Sequence, residues 1–476
     1  LNISYDNGEN WFKANSTAVG QFYAIEVDDE KSYNVYGGLQ DNGTWYGSSK
    51  NIENESWHQS GQYGYKEVGG GDGMQIRVDT RDNNTIYLGY QFGNYWRSKK
   101  NGNDYLEIKP THEIGEAALR FNWQTPILLS KHNQDIFYYG SNCFHRSMNK
   151  GGGLKKLSSD LSSPRAQGNV PYGTLTTIAE SPLKFGLLYA GTDDGLLWKS
   201  EDVGYTWKKI STMFPPYFWI SRVVASKHDE NRIYASLNGY RKDDFNPYLF
   251  ISENKGDNWK RIGTDIPAEP INVVKEDPKN ENIIYVGTDN GLYVSFDKGI
   301  HFIPWRGNLP RVAIHDIAIQ ERENEILLGT HGRSIYISKL DLVQAWNDFK
   351  NEELKILPLD EVDFNASLGK KWASYANANS SPVSINFISK TKENVKVEIL
   401  NSKNKVLKTI YFDAIVGINT LNYDLSIDEK NKNNFVEKIA KIDDGNFYLP
   451  VGNYKIKIEN KASIKTETNL TIKEKK

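Results

Sequence analysis

The chain has 476 residues, a formal net charge of −2 and one cysteine, Cys143. That length is too great for one small core and suits two or three domains, or one large repeat ring with an appendage. The composition excludes a global basic field for nucleic acid, an intrachain disulfide and a Cys-based zinc site, and no apolar run reaches the ~20 residues of a bilayer span.

The chain opens on "LNISYDNGENWF", already strand-like and without the basic and apolar regions of a leader. Residues 1–15 read as the end of an upstream blade in a chain that starts partway through a fold, or as a strand that closes a ring with residues 315–340. The next stretch, 16–345, is a repeat. A short apolar run ending in Tyr-x-Gly or a close variant stops at Gly38, Gly89, Gly140, Gly191, Ser236, Gly287 and Gly329, spaced by 51, 51, 51, 45, 51 and 42 residues. Each run follows a polar turn and an earlier apolar stretch, so each unit opens as strand, turn, strand. A third strand ends on serine, and a fourth follows, usually led by Trp or another bulky residue. Four strands per ~45–50 residues is the period of a propeller blade, and seven copies predict seven blades. With 28 Tyr, 12 Trp and 39 Gly, the composition supplies strand formers and turn formers for such a ring.

Beyond the ring, "DLVQAWNDFKNEEL" has the apolar spacing of one short helix, and the remainder of 346–380 is crowded with Pro, Ser and Asn like a linker. Strand-like alternation returns in 381–476, as in "VSINFIS", "VKVEILN" and "GNYKIKIEN". This predicts a β-sandwich of immunoglobulin or fibronectin type III form, serving as a spacer or packing module. The expected fold class is therefore all-β: a seven-bladed β-propeller followed by an Ig-like β-sandwich.

The hairpin joining third and fourth strands has the form Ser-x-Asp-x-Gly-x-x-Trp. It is complete at Ser4, Asp6, Gly8, Trp11 and at Ser200, Asp202, Gly204, Trp207, with variants at Ser252–Trp259 and Ser295–Phe302. This resembles the Asp-box (BNR) motif of sialidases, xyloglucan-cleaving glycosidases and sortilin/Vps10 propellers. The stretches "YGGLQDNG", "GDGMQIRVD", "GTDDGL" and "GTHGRSIYI" look similar to bacterial exported sortilin-like repeat proteins that are often labelled glycosyl hydrolase. The resemblance implies an Asp-box away from the ligand face and an extracytoplasmic location. Turn chemistry gives the same structural reading of Asp202: the carboxylate caps its own turn, Gly takes φ > 0 and Trp packs beneath, so Trp207 and Trp259 are expected to be largely buried.

A ligand site is expected where the loops between second and third strands meet the loops between blades. Those loops carry the candidate ligand-binding residues Asp41, Asp72, Gln91, Asp193, Arg222, Asp289, His331 and Arg333, with Asn238, Arg241 and Trp219 also present. For each Asp the simpler alternative is a residue of a tight hairpin. Asp194, directly before Gly195, is expected to serve its turn. Asp193 aligns in the text with Asp289 and Asp41, which predicts an acidic arc partly balanced by His331 and Arg333. No HExxH, GxSxG, P-loop or EF-hand pattern is present. No cofactor and no metal are expected, and no catalytic residue is assigned. The favoured function is non-catalytic binding of a protein, peptide or glycan ligand. Alternatives are a glycoside hydrolase with paired carboxylates among Asp41, Asp72, Asp193, Asp194 and Asp289, or a structural part of a cell-surface assembly, with an upstream propeller or other subunits as partners.

Overall fold

The computed structural model describes residues 2–13, 19–51, 64–163, 172–305, 309–346, 352–371, 377–434 and 439–474. Among them the chain is all-β apart from the four-residue helix Asp341–Gln344 and two 3-10 turns. The second part of the expected helix, 347–351, and part of the expected linker, 372–376, lie outside the described residues. Compact packing divides the chain into a unit of residues 1–305 and 309–340 and a second unit of residues 306–308 and 341–476.

The first unit contains six four-stranded antiparallel sheets and one of three strands, in chain order. The first sheet begins at Phe22–Val27, the second at Arg77–Val78 and the third at Ile127–Leu129. The fourth begins at Leu175–Glu180, the fifth at Trp219–Ala225, the sixth at Ile271–Glu276 and the seventh at Ile314–Gln320. Asn2–Ile3 pairs with Phe12–Lys13 in a separate two-stranded sheet. This is the propeller-like arrangement the repeat predicts, and each part of the repeat has a packing role. The hydroxyls of Tyr87 and Tyr189 are buried without a partner among the described residues, whereas the other four tyrosines of the repeat, Tyr36, Tyr138, Tyr234 and Tyr285, are fully buried with one. Their hydroxyls donate to Asp28 (2.7 Å), Glu180 (2.8 Å), Glu276 (3.0 Å) and Asp277 (2.8 Å). A buried phenol without such an acceptor would forfeit its hydration. Tyr138 and Tyr234 find theirs on the next sheet along, so the motif also joins neighbours.

The first strands share a second device. In the first, fourth, fifth, sixth and seventh sheets the register slips by one residue, at Tyr23, Thr176, Ser221, Asn272 and His315. A bulge turns its extra side chain out of the alternation. Thr176 donates from there to the carbonyl of Ile220 at 2.6 Å, and Ser221 to that of Ile271 at 2.7 Å. Just beyond the bulge, Thr177 accepts from the Val223 amide (3.3 Å) and Asp316 from the Ile25 amide (3.0 Å). The Asp316 contact joins the seventh sheet to the first. The amide of Gly332 reaches the Gly20 carbonyl at 2.9 Å, and Gln21 pairs with His331 at the same seam.

The Ser-x-Asp-x-Gly turns repeat one network. At Ser200 the hydroxyl donates to Asp202 (2.8 Å) and accepts from the Gly204 amide (2.9 Å), while Asp202 accepts from the Thr206 amide (2.9 Å). The same three bonds form at Ser4, Ser252 and Ser295, with Asn254 in the acid's place at Ser252. An amide serves as well as an acid, so the residue works as an acceptor for its own turn. Trp259 is buried, its ring N–H on the Ile210 carbonyl at 2.7 Å. Trp207 differs from expectation. It is only half-buried, because it leans on Phe144 of the preceding sheet, ring centroids 4.9 Å apart, and donates to the Gly204 carbonyl in its own turn.

The second unit places a three-stranded and a five-stranded sheet around one apolar core that includes Ile385, Phe387, Val395, Val397, Ile456, Ile458 and Leu470.

Candidate functional site

The strand-to-strand turns at the C-terminal end of each sheet's second strand hold the residues that sequence reasoning singled out. Register sets which of them correspond. The pairings Phe22↔Leu39, Leu175↔Thr192, Ile220↔Leu237, Ile271↔Thr288 and Ile314↔Thr330 align the next residues, Gln40, Asp193, Asn238, Asp289 and His331. Asp41 therefore falls one place beyond Asp193 and Asp289, and the three do not form the expected arc. Asp41 takes a left-handed φ of 59°, the conformation its turn requires.

The eight expected residues fall into separate places. Asp72 accepts from the Asp41 amide at 2.8 Å, and Gln91 lies beside the same Gly-rich loop, its Oε1 buried without a partner. Asp289 is exposed and accepts from Asn272 at 2.8 Å. The His331 ring lies on His315, centroids 4.5 Å apart, and burial with the neighbouring His331 holds the His315 imidazole down at about 4. Arg333 is exposed. Arg222 pairs with Asp316 at 2.9 Å. It lies in the same strand as Trp219, and its side chain is taken up by that ion pair.

Asp193 lies in a cavity of about 200 Å³, lined by Tyr172, Asp193, Tyr217, Trp219, Asn238, Arg241 and Lys242. Its walls come from the fourth and fifth sheets: the segment entering Leu175–Glu180, the turn after Leu188–Thr192, the loop before Trp219–Ala225 and the 3-10 turn Tyr240–Lys242. Each wall is held from behind. One Asp193 oxygen accepts from the amides of Gly173 (2.9 Å) and Thr174 (3.0 Å), and the other from the Thr174 hydroxyl (2.6 Å). Burial, with the adjacent Asp194 adding to it against the Thr174 bonds, raises the Asp193 carboxyl to about 6. Asp194 serves its turn as expected, accepting from Thr192, and also ties down the amide and hydroxyl of Ser163. Asn238 accepts from the Tyr240 amide at 3.1 Å and so starts the turn that presents Arg241. The Arg241 guanidinium carbon stands 4.1 Å from the Trp219 ring centroid and 4.5 Å from that of Tyr240.

Sequence reading had pointed at Trp219, Asn238 and Arg241 and missed Tyr172, Tyr217 and Lys242. The aromatic residues after proline in "PYG" and "PPYFW" were the available signal. Among the described residues no group of three or more His, Cys, Asp or Glu could hold a metal ion, and no helix is long and apolar enough to cross a membrane.

No family model matches the chain. A stretch of 148 residues is 28% identical to a xyloglucanase of Hypocrea jecorina (strain QM6a), covering 27% of this chain and 17% of that protein. The structure resembles the GH74 xyloglucanase from Xanthomonas campestris with a TM-score of 0.50 and 17% identity, over 68% of this chain and 52% of that one. It resembles the Niastella koreensis GH74 enzyme with a TM-score of 0.50 and 14% identity, over 96% of this chain and 73% of that one. The chain thus spans about half of the Xanthomonas enzyme and a small part of the fungal one. At these identities the structural likeness is one of fold. All three proteins are glycoside hydrolases, in line with the expectation that any enzyme of this sequence would be one.

Proposed function

We propose that the seven sheets are the blades of a seven-bladed propeller, occupying 16–345, which binds a glycan in the cavity between its fourth and fifth blades and does not cleave it. The observation that carries this reading is the lining itself: three aromatic side chains, one amide, two cations and a single carboxylate around about 200 Å³. Rings offer flat faces to the C–H side of a sugar, and polar groups at the edge fix its hydroxyls. Glycoside hydrolysis calls on two carboxylates, about 5–5.5 Å apart for retention or 6.5–9.5 Å for inversion. The lining supplies only Asp193, and both of its oxygens hold Gly173 and Thr174. The C-terminal strands are an Ig-like sandwich in this reading, and the protein works outside the cytoplasm.

A second reading, a glycoside hydrolase, is favoured by one observation. A carboxyl raised to about 6 is suited to donate a proton to a leaving group. Calorimetry with xyloglucan and other plant and bacterial polysaccharides, run beside a reducing-end assay, separates the two. Binding without new reducing ends, lost at least tenfold in Trp219→Ala, supports the lectin-like reading. Reducing ends that vanish in Asp193→Asn while binding persists would establish the hydrolase.

A further inference from the structure

The charges around the cavity are unequal. Arg241 and Lys242 form no ion pair or side-chain hydrogen bond among the described residues, whereas the one carboxylate of the lining is committed to Thr174 and Gly173. Of the two acids that follow in the turn, Asp243 is exposed, and Asp244 accepts from the Asn246 amide at 2.9 Å and the Tyr248 hydroxyl at 2.7 Å. Exposed cations are common and by themselves indicate nothing. Arg241 is different in being placed: its guanidinium stacks within 4.1 Å of the Trp219 centroid and 4.5 Å of the Tyr240 centroid. Contact with the two rings leaves the guanidinium N–H donors without a hydrogen-bond partner among the described residues, able to meet a carboxylate with two parallel hydrogen bonds. It also removes rotamer freedom before a ligand arrives. Lys242, next in the chain, adds a second positive charge without a planar preference.

We propose that this cavity recognises an acidic glycan, with the carboxylate of a uronic acid residue paired to Arg241 and Lys242 and its ring seated among Trp219, Tyr172 and Tyr217. This rests on the glycan-binding reading and adds the ligand's charge to it. A planar carboxylate fits the fork better than a tetrahedral sulfate ester, which would present its oxygens out of the guanidinium plane.

Titration calorimetry at pH 7.5 tests it with trigalacturonate, its methyl ester, cellotriose and a sulfated galactan oligosaccharide. The acid is expected to bind at least tenfold more tightly than its methyl ester and to weaken as salt is raised. Arg241→Gln, whose melting temperature is checked first, should abolish that preference, and Lys242→Gln should reduce it in part. Equal binding of acid and ester would overturn the charge recognition and leave the glycan reading standing. Tighter binding of the sulfated sugar would overturn the carboxylate assignment. Binding of none of the four, nor of the polysaccharides above, would overturn the glycan reading itself.

Discussion

At the scale of single residues, two side chains sit in costly environments that can be measured. Val203 takes φ 64° in its turn, where the equivalent positions hold Asn7, Lys255 and Lys298. A β-branched residue in the left-handed region is strained. Val203→Asn is expected to raise stability by about 1 kcal/mol, read as a higher denaturation midpoint with an unchanged slope. Asp193 is the second. Its carboxyl is raised to about 6 in the folded chain by burial and Asp194, against an ordinary 3.8. The folded state therefore holds its proton more tightly than the unfolded one. Its contribution is fully present below pH 4 and is lost as pH rises through about 6. Asn keeps an acceptor for the two amides, while its NH2 faces the Thr174 hydroxyl, which turns from donor to acceptor. Asp193→Asn should thus match the parent near pH 4 and exceed it at pH 8, by at most about 3 kcal/mol. A variant less stable than the parent at pH 8 would show that the negative charge is needed where it stands.

At the scale of elements, the turns and the bulges do different work. The Ser-x-Asp-x-Gly turn is closed by its own hydrogen bonds, and its glycine also abuts the preceding sheet: a methyl group on Gly256 would lie 2.4 Å from Ile210, and on Gly299 2.5 Å from Ile262. Trp259 lies in that interface and Trp207 at its edge. Trp259→Ala should cost about 3–5 kcal/mol and Trp207→Ala about half as much, measured by chemical denaturation. The bulged first strands carry the seam. Asp316 accepts from the Ile25 amide and from Arg222, so Asp316→Ala leaves a buried N–H and a cation without partners. A loss of about 3–5 kcal/mol is expected, with hydrogen exchange accelerated first in Phe22–Val27. The turns were legible because their residues are contiguous: serine, acid and glycine sit within five positions. The bulges were not, because a one-residue slip leaves no mark in composition. Matching "QDNG" to "TDDG" by their acids was a separate misalignment: counted from the pairings Phe22↔Leu39 and Leu175↔Thr192, Gln40 corresponds to Asp193.

At the scale of the whole molecule, the period of ~45–50 residues carried most of the fold, since six of the seven copies keep the same buried tyrosine and each keeps the strand-turn-strand pattern. The site was harder to see. Its walls come from segments near 172, 193, 217 and 240, which only the packing of the fourth sheet against the fifth brings together. Acids in turns drew attention to the mouth, yet six of the seven lining residues carry no carboxylate. The central claim is that this cavity holds a glycan and leaves it intact. The most direct measurement is a crystal structure of the full chain after prolonged soaking with the tightest oligosaccharide found by calorimetry. The account predicts an unbroken sugar chain with one ring between Trp219 and Asn238 and its polar edge toward Arg241. Density for a cleaved product, or for a sugar bound only beside Asp41 and Asp72, would contradict it.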